Sequence, residues 1–311
     1  MIRAAGMSAW AWAQVAGVVP WSYVPVTLFS IGNRMTHRPV RLEQHKFFLR
    51  GVREPVRRQL IGERWVDVWI PDSAPSGVII AHDGQNIFDD RAATHHQTWD
   101  AARAAIRTAR RIGVNPPAVV GVWNGSTSER PFQRGFELAP QKVVSAGVAI
   151  DPRVAGWFDA SKMEGDKYLA ELCEHIVPAV TTLVGSEVPI AMMGSSMGAL
   201  ATIYALGERP DVFTCGLTFS VHWPFAGDPL VDGLIDRLPA PGRIRLWMQN
   251  GTGGLDSSYA PFQQRADARL VARGYRPGRD LVSRMLRRSG HNEWSWAKRL
   301  PDAISWWLRG L

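Results

Sequence analysis

The sequence predicts an α/β chain with a mostly parallel central sheet and helices on both of its faces. Three observations predict it. From about residue 55 onward, short apolar or alternating segments take turns with amphipathic helical ones, the pattern of strand–helix–strand units. One apolar run, Pro189-Ile-Ala-Met-Met193, passes directly into a Gly/Ser turn and then into a helix-forming stretch. No internal repeat or low-complexity segment interrupts the alternation, which excludes solenoid and array architectures. The chain has 311 residues, of which 46% are hydrophobic and 21% charged, enough apolar surface for a substantial core.

The elements follow in order. Residues 1–50 read as an arm of uncertain structure. No residue from Ala4 to Asn33 is charged, yet Gln14 interrupts the apolar run and Pro20 and Pro25 break any spanning helix. Trp10, Trp12 and Trp21 leave three readings open: packing on the body, peripheral membrane contact, or a signal cleaved near Ala11-Trp12-Ala13. Residues 51–311 read as one domain. Arg64 to Ile70 alternates with period two and stops at Pro71, which predicts a half-buried strand. Gly77 to Ala81, Ala118 to Trp123 and Pro189 to Met193 are short apolar runs, expected of strands covered on both faces. Cys215 to Phe219 and Ile244 to Met248 are further strands. Helical spacing marks Trp99 to Ile112, Tyr168 to Leu183 with a break expected at Pro178, Ala199 to Leu206 ended by Gly207, Tyr259 to Arg273, and Ala297 to Leu308.

Charge and cysteine content narrow the partners. The formal net charge is +8, but the arginines are scattered. Arg107, Arg110 and Arg111 fit one solvated helix face, and Arg284, Arg287 and Arg288 form a second small group. With no zinc-finger spacing, RNA-binding aromatic motif or long basic tract, a nucleic-acid partner is not expected. Cys173 and Cys215 sit in apolar periodic segments and read as buried reduced thiols, which suits a cytoplasmic protein. His95 and His96 read as exposed loop residues with no third ligand nearby, so no metal is expected.

The strongest chemical signal is Gly194-Ser195-Ser196-Met197-Gly198, a G-x-S-x-G pattern. Between a strand and a helix, this pattern makes a tight turn that thrusts the central serine out at the sheet edge, with the Met197 N–H and the helix dipole favouring a developing oxyanion. Ser196 is therefore the candidate nucleophile, the alternative being a structural turn. A serine hydroxyl needs a base, and chains with such an elbow supply an acid and then a histidine downstream. Only His222 and His291 follow Ser196. His222 lies just after a strand beside Trp223 and reads as packed or pocket-lining. His291, in a polar loop before the last helix, is the better base. Asp256, in the glycine-rich loop after the strand ending at Met248, is the candidate acid. Asp280 is the runner-up, and Glu293 lies too close to His291 in sequence to be the obvious partner. Gly84, in the loop Ala81 to Phe88, permits unusual backbone angles near such a site, the alternative being an ordinary turn at Asp83-Gly84.

Taken together, His82-Asp-Gly-Gln-Asn-Ile-Phe88, Gly194-Ser-Ser-Met-Gly198, Gly251-Thr-Gly-Gly-Leu-Asp256 and Gly290-His291 resemble the esterase D/enterobactin-esterase-like family of α/β-hydrolases, over residues 55–311. The resemblance implies the α/β-hydrolase fold and hydrolysis of a small-molecule carboxylic ester by Ser196, Asp256 and His291, with no metal or organic cofactor. It also implies an oxyanion hole made by the N–H of Met197 and that of Gly84 or Gln85. Ala199 departs from the family, which more often has glycine there. The segment Arg134-Gly-Phe-Glu137, after Trp123-Asn124, resembles the family's arginine-containing loop near the pocket. Trp123, Asn124, Arg134, His222 and Trp223 are accordingly the candidate substrate-binding residues. An Arg134–Glu137 surface pair is the alternative role for that loop. Two other functions stay open: an acyltransferase using an alcohol or sugar acceptor, and a non-catalytic scaffold that binds through the same cleft. The ester itself and the oligomeric state are not encoded in any motif.

Overall fold

Nine strands form one sheet among the described residues. The computed structural model describes residues 44–155 and 158–311, so the expectations for the N-terminal tryptophans, the signal and membrane contact lie outside the described residues. The strands are β1 (His45–Phe47), β2 (Val56–Ile61), β3 (Arg64–Trp69), β4 (Val78–Ala81), β5 (Ala118–Val122), β6 (Ile190–Ser195), β7 (Cys215–Phe219), β8 (Arg245–Gly251) and β9 (Leu281–Leu286), ordered β1-β2-β3-β5-β4-β6-β7-β8-β9. The first three are antiparallel to their neighbours. From β5 to β9 every pairing is parallel.

The short apolar runs form the centre of the sheet because both faces are covered. Along β4, Val78 and Ile80 enter one core while Ile79 and Ala81 enter the other. The helices that bear on the site are α1 (Ala101–Ile112), α2 (Gln133–Leu138), α3 (Gly165–Glu171), α4 (Val177–Val184), α5 (Met197–Glu208), α6 (Gly227–Arg237), α7 (Ala260–Ala272), α8 (Glu293–Ala297) and α9 (Leu300–Leu308). Helices α1 and α9 cover one face, and α3 to α7 cover the other. Among the described residues, no helix is long and apolar enough to cross a membrane.

Several local expectations change. Strand β1 lies within the stretch read as an arm and pairs with β2. Strand β3 is not half-exposed: Val66 to Trp69 are all buried, because Asp67 is covered by Arg58 from β2, which binds it through two hydrogen bonds of 2.7 and 2.8 Å. Gly207 does not end a helix. It lies inside α5, where a Cβ would come within 3.2 Å of Arg237 on α6, so its role is close helix packing. The break near Pro178 takes the form of a π turn, Leu172–Ile176, which absorbs the backbone bond that the proline cannot donate. The last predicted helix, Ala297 to Leu308, starts later, at Leu300 with Pro301 in its first turn, and a short helix, α8, precedes it in the stretch read as a polar loop. Cys215 is buried, whereas Cys173 is only partly so.

Candidate active site

The ends of β4, β6, β7 and β8 open onto one edge of the sheet, the edge where parallel α/β sheets place their ligand sites. Ser196 stands between β6 and α5 with φ 56° and ψ −122°. A non-glycine residue held there costs of order 1–3 kcal/mol, so the surroundings must enforce it. They do: the Ser196 N–H donates to Phe219 at 3.0 Å, and its carbonyl accepts from Ala199 at 3.1 Å and His222 at 3.3 Å. The turn closes because Gly194 carries no Cβ, which would sit 2.4 Å from the Gly198 oxygen. Met197 opens α5, where N–H groups have no intrahelical acceptor. The Ser196 hydroxyl is buried and makes no hydrogen bond, so it is not bonded to His291 in this structure.

Asp256 sits fully buried in a short helical turn, Gly254–Ser258, after β8. Its Oδ1 lies 2.7 Å from His291 Nδ1, while Oδ2 accepts from the Ser220 hydroxyl at 2.6 Å and the Gly251 N–H at 2.7 Å. Ser220 in turn accepts from the Trp296 indole at 2.9 Å. His291 lies between β9 and α8, its ring edge-on to Trp296 and to Tyr259, with centroids 5.1 and 5.9 Å away. The acid and base loops are joined directly: the N–H groups of Thr252 and Gly253 donate to the Ser289 carbonyl. Asp280, the runner-up acid, is held by Arg276 at the opposite end of β9 and does not approach His291.

The loop after β4 lies against the elbow. Asp83 takes a left-handed conformation, φ 55°, ahead of the 3-10 turn Gly84–Asn86. A Cβ on Gly84 would fall 2.3 Å from the Gly121 carbonyl carbon of β5, so only glycine lets this loop approach the sheet. Gln85 accepts a 3.4 Å hydrogen bond from the Asn124 N–H. His82 packs behind the elbow, where its Nδ1 meets the Tyr168 hydroxyl at 2.8 Å and its Nε2 has no partner. Burial pushes the His82 imidazole down to about 4, with Arg134 and Arg64 adding to the effect and Asp83 opposing it.

The candidate substrate-binding residues divide. Asn124 and Arg134 converge on Asp83, Asn124 at 2.9 Å and Arg134 through two bonds of 2.7 and 2.8 Å. The alternative role for that loop, an Arg134–Glu137 surface pair, gives way to a buried Arg134–Asp83 pair, and Glu137 binds Arg64. Burial pushes the Asp83 carboxyl up, but Arg134 and Asn124 outweigh it and hold it below the usual range. His222 is fully buried and meets the Tyr259 hydroxyl at 2.5 Å. Burial and the neighbouring His291 and Arg134 push His222 well below the ordinary histidine value. Trp223 is buried and donates to Gln263 at 3.1 Å, and Trp123 lies against the Arg58 guanidinium, 4.4 Å from its ring centroid. Sequence reasoning gave no role to Ser220, Asn86 or Tyr168, and weighed Glu293 only as a partner for His291. Asn86 lies inside the motif His82 to Phe88 and Glu293 two residues past Gly290-His291, whereas nothing in the sequence marks Ser220. Among the described residues, no group of three or more His, Cys, Asp or Glu side chains is placed to hold a metal ion.

No family model matches the chain, and no curated protein matches it. Many solved structures do. Enterochelin esterase from Shigella flexneri matches with TM-score 0.56 and 16% identity, covering 83% of this chain but only 59% of the esterase. An IroE-like serine hydrolase from Shewanella oneidensis matches with TM-score 0.59 and 15% identity, over 78% of this chain and 74% of its own. An S-formylglutathione hydrolase from Agrobacterium tumefaciens matches with TM-score 0.55 and 14% identity, over 86% of this chain and 98% of its own. With its largely parallel nine-stranded sheet and its likeness to these structures, the chain has the α/β-hydrolase fold.

Proposed function

We propose that the chain is a serine hydrolase that cleaves a small-molecule carboxylic ester or thioester through an acyl-enzyme on Ser196. The observation that carries the proposal is the strained Ser196 at the β6–α5 turn, on the sheet edge where Asp256 holds His291 at 2.7 Å. With its Nδ1 engaged by Asp256, His291 has Nε2 left to take the serine proton. Asp256, itself held by Ser220 and Gly251, steadies the imidazolium that forms. The acyl oxygen then accumulates negative charge, for which the Met197 N–H and that of Gly84 or Gln85 are the donors. As the adduct collapses, the ester C–O or thioester C–S bond breaks and His291 gives its proton to the departing alcohol or thiol. In the second step His291 activates water, which releases the acid and restores the Ser196 hydroxyl. The Ser196 hydroxyl makes no hydrogen bond to His291, and contacts of this kind commonly tighten only in the reacting complex. The names of the similar structures, an enterochelin esterase and an S-formylglutathione hydrolase among them, agree with ester and thioester chemistry on this fold.

The test is release of p-nitrophenolate from p-nitrophenyl esters of rising acyl length, together with fluorophosphonate labelling. Turnover and labelling are both expected in the native chain and lost in Ser196→Ala, with kcat lower by on the order of 10³-fold or more. Turnover that survives Ser196→Ala overturns the proposal.

A further inference from the structure

Two residues with no part in the chemistry above, one inside the motif His82 to Phe88 and one just past Gly290-His291, meet across the site. Asn86 lies on the loop after β4, and Glu293 is the first residue of α8, two positions beyond His291. Both are buried. The Asn86 amide donates to Glu293 Oε1 at 3.2 Å. Its orientation is decided on its own side of the contact: the Asn86 carbonyl accepts from the N–H and hydroxyl of Thr94, at 2.9 and 3.0 Å, which turns the NH₂ group toward Glu293. The Asn86 backbone is also anchored, its N–H to Asp83 and its carbonyl to Trp99. On the other side, Asn292 caps α8 by accepting from the Ser295 N–H, which fixes the backbone that presents Glu293. The second carboxylate oxygen of Glu293 faces the exposed His95 at 3.5 Å.

We propose that Asn86 and Glu293 are positioning residues whose contact holds the oxyanion loop, with Gly84 and Gln85, in register with the loop that carries His291. The inference rests on the serine-hydrolase reading and deepens it. The oxyanion loop is then gripped at both ends: Arg134 and Asn124 hold Asp83, and Glu293 holds Asn86. No backbone hydrogen bond among the described residues links this loop to residues 287–293, so the side-chain contact sets their relative position. A donor displaced by about 1 Å at such a site costs on the order of 100-fold in rate. A contact that served only to cap α8 would leave kcat unchanged when Asn86 alone was altered, and exchanging its donor and acceptor would rescue nothing.

The experiment exploits that exchange. Asn86→Asp puts two carboxylates face to face, and kcat on p-nitrophenyl acetate is expected to fall by about 10–100-fold with little change in KM. The double variant Asn86→Asp/Glu293→Gln restores a donor opposite an acceptor, and its kcat is expected to return to within a few-fold of the native chain. As a second pair, Glu293→Gln keeps a carbonyl for Asn86 and retains activity, whereas Glu293→Ala loses it. Wild-type turnover by Asn86→Asp, no rescue in the double variant, or equal rates for Glu293→Gln and Glu293→Ala overturns the contact's role while leaving the hydrolase intact. Absence of Ser196-dependent turnover in the native chain overturns both together.

Discussion

At the scale of single residues, the site concentrates strain and buried charge. Asp83, Ser196 and Ser220 all take positive φ, each just past the end of a different strand. Asp256 accepts from Ser220 and Gly251 while it holds His291. Asp256→Asn keeps the shape but presents the wrong hydrogen-bonding group to His291. The kcat for ester cleavage is expected to fall on the order of 10⁴-fold, measured against the Ser196→Ala background. His82 gives a prediction about stability. Its folded value, about 4, lies below the ordinary 6.5, so the unfolded chain binds the proton more readily. Stability is therefore fully present above pH 6.5 and is lost as pH falls toward 4. Urea unfolding at pH 7 and pH 5 should show the native chain losing about 2 kcal/mol more than His82→Asn does. A residual loss in the variant is expected, because buried His222 is shifted in the same direction. An identical pH dependence in both proteins refutes this role for His82.

Among the elements, closeness of backbone is the recurring device. The loop after β4 approaches β5 only because Gly84 has no side chain, so Gly84→Ala must push it outward. Activity is expected to fall at least about 100-fold, by the same displacement cost as any misplaced donor, and the chain to melt at a lower temperature. Unchanged kinetics would show that this loop does not serve the reaction. The antiparallel edge poses a different question. Arg58 and Asp67 form a buried ion pair between β2 and β3, and burial pushes the Asp67 carboxyl up despite its partner. The net value of such a pair is small, but breaking it strands a charge. Asp67→Ala is expected to cost about 3–5 kcal/mol in urea unfolding, while an apolar replacement of both residues stays near neutral. A loss below about 1 kcal/mol for Asp67→Ala would contradict the stranded-charge account.

For the molecule as a whole, the formal net charge of +8 should act on the approach of substrate rather than on its chemistry. The kcat/KM for an anionic p-nitrophenyl ester is expected to fall several-fold between about 20 and 300 mM salt, while that for a neutral ester holds steady. Equal salt slopes for the two substrates would remove any role for steering. The central strands, the elbow and the acid and base candidates were legible in the sequence, because each depends on a short local pattern: an unbroken apolar run, glycines flanking a serine, a histidine before the last helix. Local pattern also set the limits of that reading. Strand β3 alternates in sequence as a half-exposed strand does, yet it is buried by an arginine from its neighbour. Gly207 has the signature of a helix end, yet it serves a helix crossing. Arg134 stands three residues before Glu137, yet it pairs with Asp83, which is 51 positions away. Ser220 behind Asp256 and the meeting of Asn86 with Glu293 join residues 36 and 207 positions apart. The order of apolar and turn residues by itself determined the kind of sheet and where its chemistry sits. The partners of the buried charges were decided only by the tertiary structure, because a charge leaving water takes whichever opposite group the packed chain brings within reach.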